Sequence, residues 1–202
     1  MKRLIGAVGA AVLVLALRAP AQGVDLRVGA TANYGTTNEF GVGPRLELGF
    51  APYLPQLRLV WDFHQYFKST VYNDVDGLVV ESSSWDTGFH VVYDIVTFPV
   101  GQGVTLYGGA GGMYTDRNYD HWLKRSDEEI SDSELRNRYD KLQTLEDKYQ
   151  DDSGASFALT LGTTFATGWT VIPFLEARYT FGVVDEFMMS GGILFSTGTG
   201  AE

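Results

Sequence analysis

Cysteine is absent from this chain of 202 residues, and long apolar runs are absent from all of it except the N-terminus. Without cysteine, the protein has neither a disulfide framework nor a lipoprotein attachment site. An exported domain of this composition must be stabilised without covalent cross-links, which suits a closed barrel better than a small stapled domain. No later segment approaches a transmembrane helix, because such a helix needs about 20 apolar residues.

The sequence motifs of common enzyme classes are also absent. The chain contains no Gly-x-Ser-x-Gly, His-Glu-x-x-His, P-loop or dinucleotide-binding fingerprint. These patterns place nucleophiles, metal ligands and phosphate-binding backbone in the enzymes that use them. The sequence therefore predicts no cofactor and no metal site.

The one apolar run is typical of a secretory signal peptide. Two basic residues precede it, and the small residues of 19–21 follow it. Those three features define a cleaved leader, so we predict that residues 1–21 are removed and that 22–202 form one domain. The run is shorter than the roughly 20 residues of a spanning helix, which makes an N-terminal anchor the less favoured alternative.

Basic residues are scarce relative to acidic ones, and the formal charge at pH 7 is −10. Removal of the leader takes away three basic residues, which leaves 12 against 25 acidic residues and a charge of −13. Nucleic acids are bound through Lys and Arg contacts to phosphates. We therefore expect no nucleic-acid partner.

Behind the leader, eight segments alternate apolar residues with polar or small ones. Because residues two apart in a strand share a face, this alternation predicts β-strands. One face of these strands carries Leu, Val, Phe and Tyr, and the other carries nearly all the charges together with Gly, Ser and Thr. The predicted strands are 24–35, 38–50, 56–68, 79–95, 102–115, 154–166, 169–181 and 186–196.

This division of faces predicts an all-β fold, a single eight-stranded antiparallel up-and-down transmembrane β-barrel with its apolar side toward lipid. A secreted lipocalin-like carrier has the opposite sidedness and stays open as an alternative. Aromatic residues near the strand ends predict girdles at the two membrane interfaces. One girdle comprises Tyr34, Phe40, Phe67, Tyr114, Tyr179 and Phe187, and the other comprises Phe50, Phe98, Trp169 and Phe195.

Charged residues on the inner face are expected to pair across the bore, because an unpaired charge in a narrow bore is very costly. The predicted lumen ion-pair network consists of Arg27, Arg45, Glu47, Arg58, Asp62, Asp94, Glu176 and Arg178.

The connections between strands alternate between short and long. An even number of strands places both termini in the periplasm, with tight turns there and longer loops outside. The predicted periplasmic turns are 51–56, 96–101 and 167–168, and the outer loops include 69–78 and the long acidic segment 116–153.

With this strand pattern, the segments Tyr107–Tyr114 and Pro173–Phe181 resemble the small outer-membrane barrels of the OmpA/OmpX type. The resemblance covers about residues 24–196. It implies a place in the outer membrane of a Gram-negative envelope, contact with membrane lipid and lipopolysaccharide, and insertion by the barrel-assembly machinery. One departure is that a polar tail follows Phe195, whereas family members usually end on an aromatic residue.

The acidic segment breaks the strand rhythm and contains no glycine or proline. A capping box at Ser131 and Glu134 predicts a helix over 132–150 in the third outer loop. Its apolar stripe is either folded over the barrel mouth or offered to an extracellular protein partner. A Ca²⁺ site from Asp127, Glu128, Glu129, Asp151 and Asp152 is a weaker alternative. The stripe consists of Leu135, Tyr139, Leu142, Leu145 and Tyr149.

Catalytic candidates are weak. Asp62 and His64 form an Asp-x-His couple of the kind that outer-membrane omptin proteases use, with His90 and Asp94 on the next strand. A carboxylate can fix the tautomer of such a histidine. Mutual neutralisation inside the bore explains the same residues without catalysis. His121 and Ser126 have too generic a spacing to indicate a lipid A-modifying enzyme.

The function that these observations favour is a non-enzymatic outer-membrane protein. A rigid barrel would anchor an acidic helical loop outside the cell, for envelope structure, adhesion or partner recognition. The bore of an eight-stranded barrel is just filled by side chains, so a general porin is not expected. The alternatives are a narrow gated channel, a barrel enzyme and the lipocalin-like carrier.

Overall fold

A computed structural model describes residues 25–36, 39–50, 53–73, 78–123, 137, 140–145, 152–183 and 185–196. These residues form the predicted fold, a single eight-stranded antiparallel up-and-down transmembrane β-barrel. The strands are β1 (Asp25–Gly35), β2 (Glu39–Phe50), β3 (Leu54–Tyr66), β4 (Ser69–Asn73), β5 (Leu78–Phe98), β6 (Val104–Leu123), β7 (Asp152–Phe165), β8 (Val171–Gly182) and β9 (Glu186–Ser196). The predicted leader and the tail after Ser196 lie outside the described residues.

Apart from β3 and β4, consecutive strands pair with each other, and two further pairings close the ring. The last strand, β9, returns to β1, and β3 pairs with β5. The short strand β4 also pairs with β5, above the end of β3. Thus β3 and β4 share one position in the ring, and nine strands form an eight-membered barrel.

β6 continues well beyond its predicted outer end at residue 115, and β5 contains the predicted strand 79–95 together with Val96–Phe98 of the predicted turn 96–101. β5 contains 21 residues and β6 contains 20, and they remain paired from Phe98 with Val104 up to Leu78 with Leu123. Residues 116–123, predicted to begin the long loop, are therefore strand, and the predicted outer loop 69–78 includes β4. The first seven residues of β5 add a projection of about 23 Å at ~3.3 Å per residue. We call β4 with residues 78–84 and 117–123 the projecting sheet.

The sidedness of the barrel is the reverse of a soluble protein. On the outer surface, Phe89 and Leu175 are 58% and 56% exposed, whereas Arg45 and Glu176 in the bore are 1% and 4% exposed. A lipocalin-like carrier needs apolar residues in the bore, so that alternative is wrong. Among the described residues, no helix has the length and apolar character needed to cross a membrane.

The outer surface carries both predicted aromatic girdles. All ten of those aromatic residues are exposed. At the end of the barrel that bears the projecting sheet, the rings of Phe40 and Phe67 stack at 5.7 Å, and Trp85 packs against Phe63 and Tyr114. Amphipathic aromatic rings are enriched where a barrel meets the membrane interfaces.

Candidate functional site

The charged side chains of the bore come from alternate positions on neighbouring strands. Strand pairing sets Arg27 opposite Glu47 on β1 and β2, and Arg45 opposite Asp62 on β2 and β3. Because a strand alternates its side chains between two faces, these residues all face the bore. The structure brings together the eight residues predicted for the ion-pair network.

Glu47 is the centre of one half of the network. Its carboxylate accepts hydrogen bonds from Nε of Arg45 at 2.9 Å and from Nη1 of Arg58 at 2.6 Å. Arg58 also donates to Asp94 at 2.5 Å. Arg27 lies 3.8 Å from Glu47 and pairs with Asp25 at 2.8 Å, where the side chains are about a fifth to a quarter exposed. This half therefore runs from the buried bore to its rim.

Glu176 connects the other half. It accepts from Arg45 at 2.9 Å and from Arg178 at 2.8 Å. Arg178 also binds both carboxylate oxygens of Asp62, which is fully buried. Buried guanidinium–carboxylate pairs need such additional hydrogen bonds to offset their desolvation. The two halves meet at Arg45, so the network extends across the bore.

Aromatic rings fill the spaces between these charges. The hydroxyl of Tyr107 donates to Glu176 at 2.9 Å, and the guanidinium of Arg58 lies 4.7 Å from the centre of the Tyr107 ring. Arg45 lies 4.4 Å from the centre of the Phe174 ring. A cation over a desolvated ring face is attracted by the ring quadrupole. Charges and rings together leave the centre of the bore filled with side chains.

A second polar cluster lies beside the network, and sequence reasoning missed it. Nδ1 of His64 hydrogen-bonds Asp86 at 2.8 Å, and the hydroxyl of Tyr66 donates to the other oxygen of Asp86 at 2.6 Å. The amide of Asn33 donates to Tyr66 at 2.8 Å. The signal in the sequence was the inward position of Asp86, which lies opposite His64 across β3 and β5.

The weak catalytic candidates do not form the predicted Asp-x-His couple. His64 hydrogen-bonds Asp86 instead of Asp62, and Asp62 is held by Arg178. His90 lies 3.8 Å from Asp62, and Asp94 belongs to the ion-pair network. A general base has to reach a substrate proton, and the side chains of His64 and His90 are only 1% exposed. Both imidazoles are therefore buried within the described part of the barrel.

The described part of the loop helix packs on the projecting sheet. Residues 137 and 140–145 are helical, and Leu145 packs against Val80 of β5, with Leu142 and Tyr119 beside them. The members Leu135, Tyr139 and Tyr149 of the predicted stripe lie outside the described residues. Leu145, which is 8% exposed, is thus covered by the protein's own strands.

Polar residues mark the base of the projecting sheet. The indole of Trp85 donates to Asp116 at 2.9 Å on the outer surface. Beyond this point, Lys68 bonds Asp120 at 2.5 Å and lies 3.9 Å from Glu81. The hydrogen bond with Asp120 raises the pKa of Lys68 above its ordinary value. The charged residues Glu81 and Asp120 of the projecting sheet therefore lie above the level of Trp85.

Two other predicted sites lie largely beyond the described residues. The Ca²⁺ candidates at 127–129 and 151 and the residue Ser126 are not among them, and Asp152 is the first residue of β7. His121 lies on the projecting part of β6, where its backbone pairs with Val80. These sites remain predictions.

Solved structures of bacterial outer-membrane proteins share this fold. The N-terminal barrel domain of Pseudomonas aeruginosa OprF aligns with a TM-score of 0.52 at 12% identity, over 85% of this chain and 96% of that one. Neisserial surface protein A aligns with a TM-score of 0.51 at 17% identity, over 86% and 97%. A major outer membrane protein from Thermus thermophilus aligns with a TM-score of 0.54 at 13% identity, over 86% and 99%. No protein-family model and no curated protein matches the sequence.

Proposed function

We propose, from the fold that this chain shares with small eight-stranded outer-membrane barrels, that it is a non-enzymatic protein of the outer membrane. In this proposal the barrel is a rigid anchor, and it presents the projecting sheet and the acidic helical loop outside the cell. The presented unit serves envelope structure, adhesion or recognition of a partner. Membrane lipid and lipopolysaccharide surround the barrel, and the barrel-assembly machinery inserts it.

The observation that carries the proposal is the combination of an apolar exterior with a bore filled by ion pairs. The three arginines Arg45, Arg58 and Arg178 are among the largest fully buried side chains of the protein. An eight-stranded barrel leaves room for side chains and little else. This arrangement favours an anchor over a narrow channel or a barrel enzyme, because a channel needs an open path and an enzyme needs a reachable base.

The projecting sheet supports the presentation role. It extends one side of the barrel beyond the girdle residues, and the helical residues 140–145 pack on it through Leu145 and Val80. Such packing fixes the helical part of the loop against the strands. The acidic character of segment 116–153 suits a basic protein partner, or lipopolysaccharide phosphates bridged by divalent ions.

Single-cysteine labelling tests both the location and the orientation. Since the natural chain has no cysteine, Asp140→Cys and Val100→Cys each introduce a unique thiol. Both positions are exposed, one on the loop helix and one in the turn between β5 and β6 at the opposite end. With a membrane-impermeant maleimide on intact Gram-negative cells, we expect labelling at position 140 and none at position 100.

Permeabilising the outer membrane is the control and should make position 100 reactive. Labelling of position 100 alone in intact cells would show the reverse orientation. Recovery of the protein as a soluble monomer without detergent would refute the membrane location. In detergent, the folded barrel should migrate differently on gels before and after heating.

A further inference from the structure

Asp62, His64 and Asp86 form a buried cluster inside the bore, and their side chains are of the types that bind metals elsewhere. One ligand atom from each residue lies within 4.8 Å of the others, and their side chains are at most 1% exposed. His64 and Asp86 are opposite each other across β3 and β5, and Asp62 is two positions away on the same inward face. Imidazole and carboxylate together are a common ligand set for divalent transition metals.

The imidazole of His64 has a nitrogen that the described protein does not use. Its Nδ1 hydrogen-bonds Asp86 at 2.8 Å, and an ionised carboxylate accepts that bond only if Nδ1 carries the proton. Nε2 of the neutral ring then has a free lone pair, and this atom is buried without a hydrogen-bond partner among the described residues. A carboxylate on one ring nitrogen is how proteins orient an imidazole that binds metal through the other.

His90 repeats this feature next to the cluster. Its Nε2 lies 3.8 Å from Asp62, and within the described residues both of its ring nitrogens are buried without a hydrogen-bond partner. Leaving a buried polar atom unpaired costs about 1–3 kcal/mol. The imidazoles of His64 and His90 thus lie beside the carboxylate of Asp62, and each has a nitrogen without a described partner. Packing of the bore alone does not require this arrangement.

We propose that the bore binds one divalent transition-metal ion through Nε2 of His64 and the carboxylate of Asp62, while Asp86 orients the imidazole through Nδ1. His90 stands beside this site as a further ligand. Zn²⁺, Ni²⁺ and Cu²⁺ bind imidazole readily, whereas Ca²⁺ and Mg²⁺ prefer oxygen ligands alone. The site therefore binds Zn²⁺, Ni²⁺ or Cu²⁺ in preference to Ca²⁺ and Mg²⁺. The ion satisfies the unused nitrogen of His64, and through His90 it joins β3 to β5 at the level of Asp62.

The surrounding arginine is compatible with such an ion. Arg178 hydrogen-bonds Glu176 at 2.8 Å in addition to Asp62. If Asp62 turns toward the metal, Arg178 keeps Glu176 as its partner, so no buried charge is left unpaired. The carboxylate of Asp62 then compensates charge on the metal ion, and the carboxylate of Glu176 pairs with the guanidinium.

Metal loading of the refolded barrel tests the proposal. Because the bore is closed, untagged protein is refolded in detergent with Zn²⁺ present, passed through gel filtration and analysed for bound metal. We expect about one Zn²⁺ per barrel, a higher urea midpoint than for metal-free protein, and no retention of Mg²⁺. Co²⁺ in place of Zn²⁺ should show visible absorption bands that report nitrogen and oxygen ligands.

The three histidines of the chain provide matched variants. His64→Ala should lower metal affinity at least tenfold, and His121→Ala, on the projecting sheet, should leave it unchanged. His64→Gln keeps a side chain of similar size and serves if the alanine variant does not fold. Wild-type protein that retains no Zn²⁺, or retention equal in the His64 and His121 variants, would overturn the proposal. Neither result affects the outer-membrane location, which the cysteine labelling tests separately.

Discussion

At the scale of a single residue, Arg178 shows why a buried guanidinium in the bore needs partners of opposite charge. Its guanidinium is buried and binds both oxygens of Asp62 and one oxygen of Glu176. Breaking a buried pair by removing one partner costs about 3–5 kcal/mol, because the remaining charge loses its compensation. The same change at an exposed pair costs only about 0–1 kcal/mol.

Replacing Arg178 with methionine should therefore destabilise the barrel by about 3–5 kcal/mol, because Asp62 loses its principal cation. The measurement is the urea midpoint of the barrel in detergent, followed by tryptophan fluorescence. Arg27→Met is the matched control, since Arg27 is 22% exposed at the rim, and it should change stability by about 1 kcal/mol or less. Equal effects of the two substitutions would show that burial of the network does not determine its contribution.

Gly111 and Gly112 are a second contrast between neighbouring residues. A Cβ atom at Gly111 would overlap the backbone oxygen of Phe89 and lie 2.7 Å from Nδ1 of His90, whereas a Cβ at Gly112 meets nothing within 4 Å. Gly111→Ala should destabilise by about 1–3 kcal/mol, since the obstacle is backbone that cannot turn away. Gly112→Ala should be neutral or slightly stabilising in the same unfolding assay, and the reverse order would contradict the assigned faces.

The sequence predicted which residues face the bore. It did not predict the hydrogen-bond partner of every one of these residues. Parity along the strands placed the eight predicted residues on the inward face, although the prediction left out Asp25, which pairs with Arg27. The partner of His64 depends on strand register, which parity does not give. Residues two apart on one strand are farther apart than residues directly opposite on neighbouring strands, whose Cβ atoms are about 4.5–5.5 Å apart. His64 therefore meets Asp86 and not Asp62.

At the scale of elements, sequence reasoning missed two parts of the projecting sheet, namely β4 and residues 117–123. Residues 116–123 carry charged or polar side chains on both faces, so the alternation that marks a membrane strand ends at Tyr114. Alternation requires one apolar environment and one polar environment. Beyond the membrane interface both faces of a strand meet a polar environment or a covering loop. The pairing of β5 and β6 continues there although its sequence signal has ended.

The described part of the loop helix packs on the projecting sheet through an apolar cluster in which Leu145 contacts Val80. Leu145→Asp places a carboxylate against Val80, and burying an unpaired charge should release the helix from the strands. We expect faster protease cleavage between β6 and β7, while the heat-modifiable gel shift of the barrel is unchanged. Gln143→Asp, at an exposed position of the same helix, is the matched control. Simultaneous loss of the gel shift would mean that the helix supports the barrel itself.

At the scale of the whole molecule, stability depends on the solvent outside the cylinder. The exterior carries apolar residues at positions that are about half exposed, such as Leu159 and Leu161 on β7. In water this surface would be an association hazard, since monomeric soluble proteins rarely expose large contiguous apolar patches. In a bilayer the same surface is matched to its surroundings. The apolar exterior and the closed, charged bore thus both suit a protein that is surrounded by hydrocarbon.

A charge on the outer surface tests this dependence directly. Leu161 is 54% exposed near the middle of the apolar belt, where arginine on the lipid face of a barrel costs about 2–4 kcal/mol. Leu161→Arg should reduce the stability of the barrel in lipid vesicles by that amount, whereas Tyr53→Arg, in the turn between β2 and β3, should have little effect. Stability in vesicles is followed by tryptophan fluorescence during urea unfolding. The expectation is contradicted if Leu161→Arg leaves stability in vesicles unchanged and also makes the protein soluble without detergent. The apolar surface would then not face hydrocarbon in the native protein.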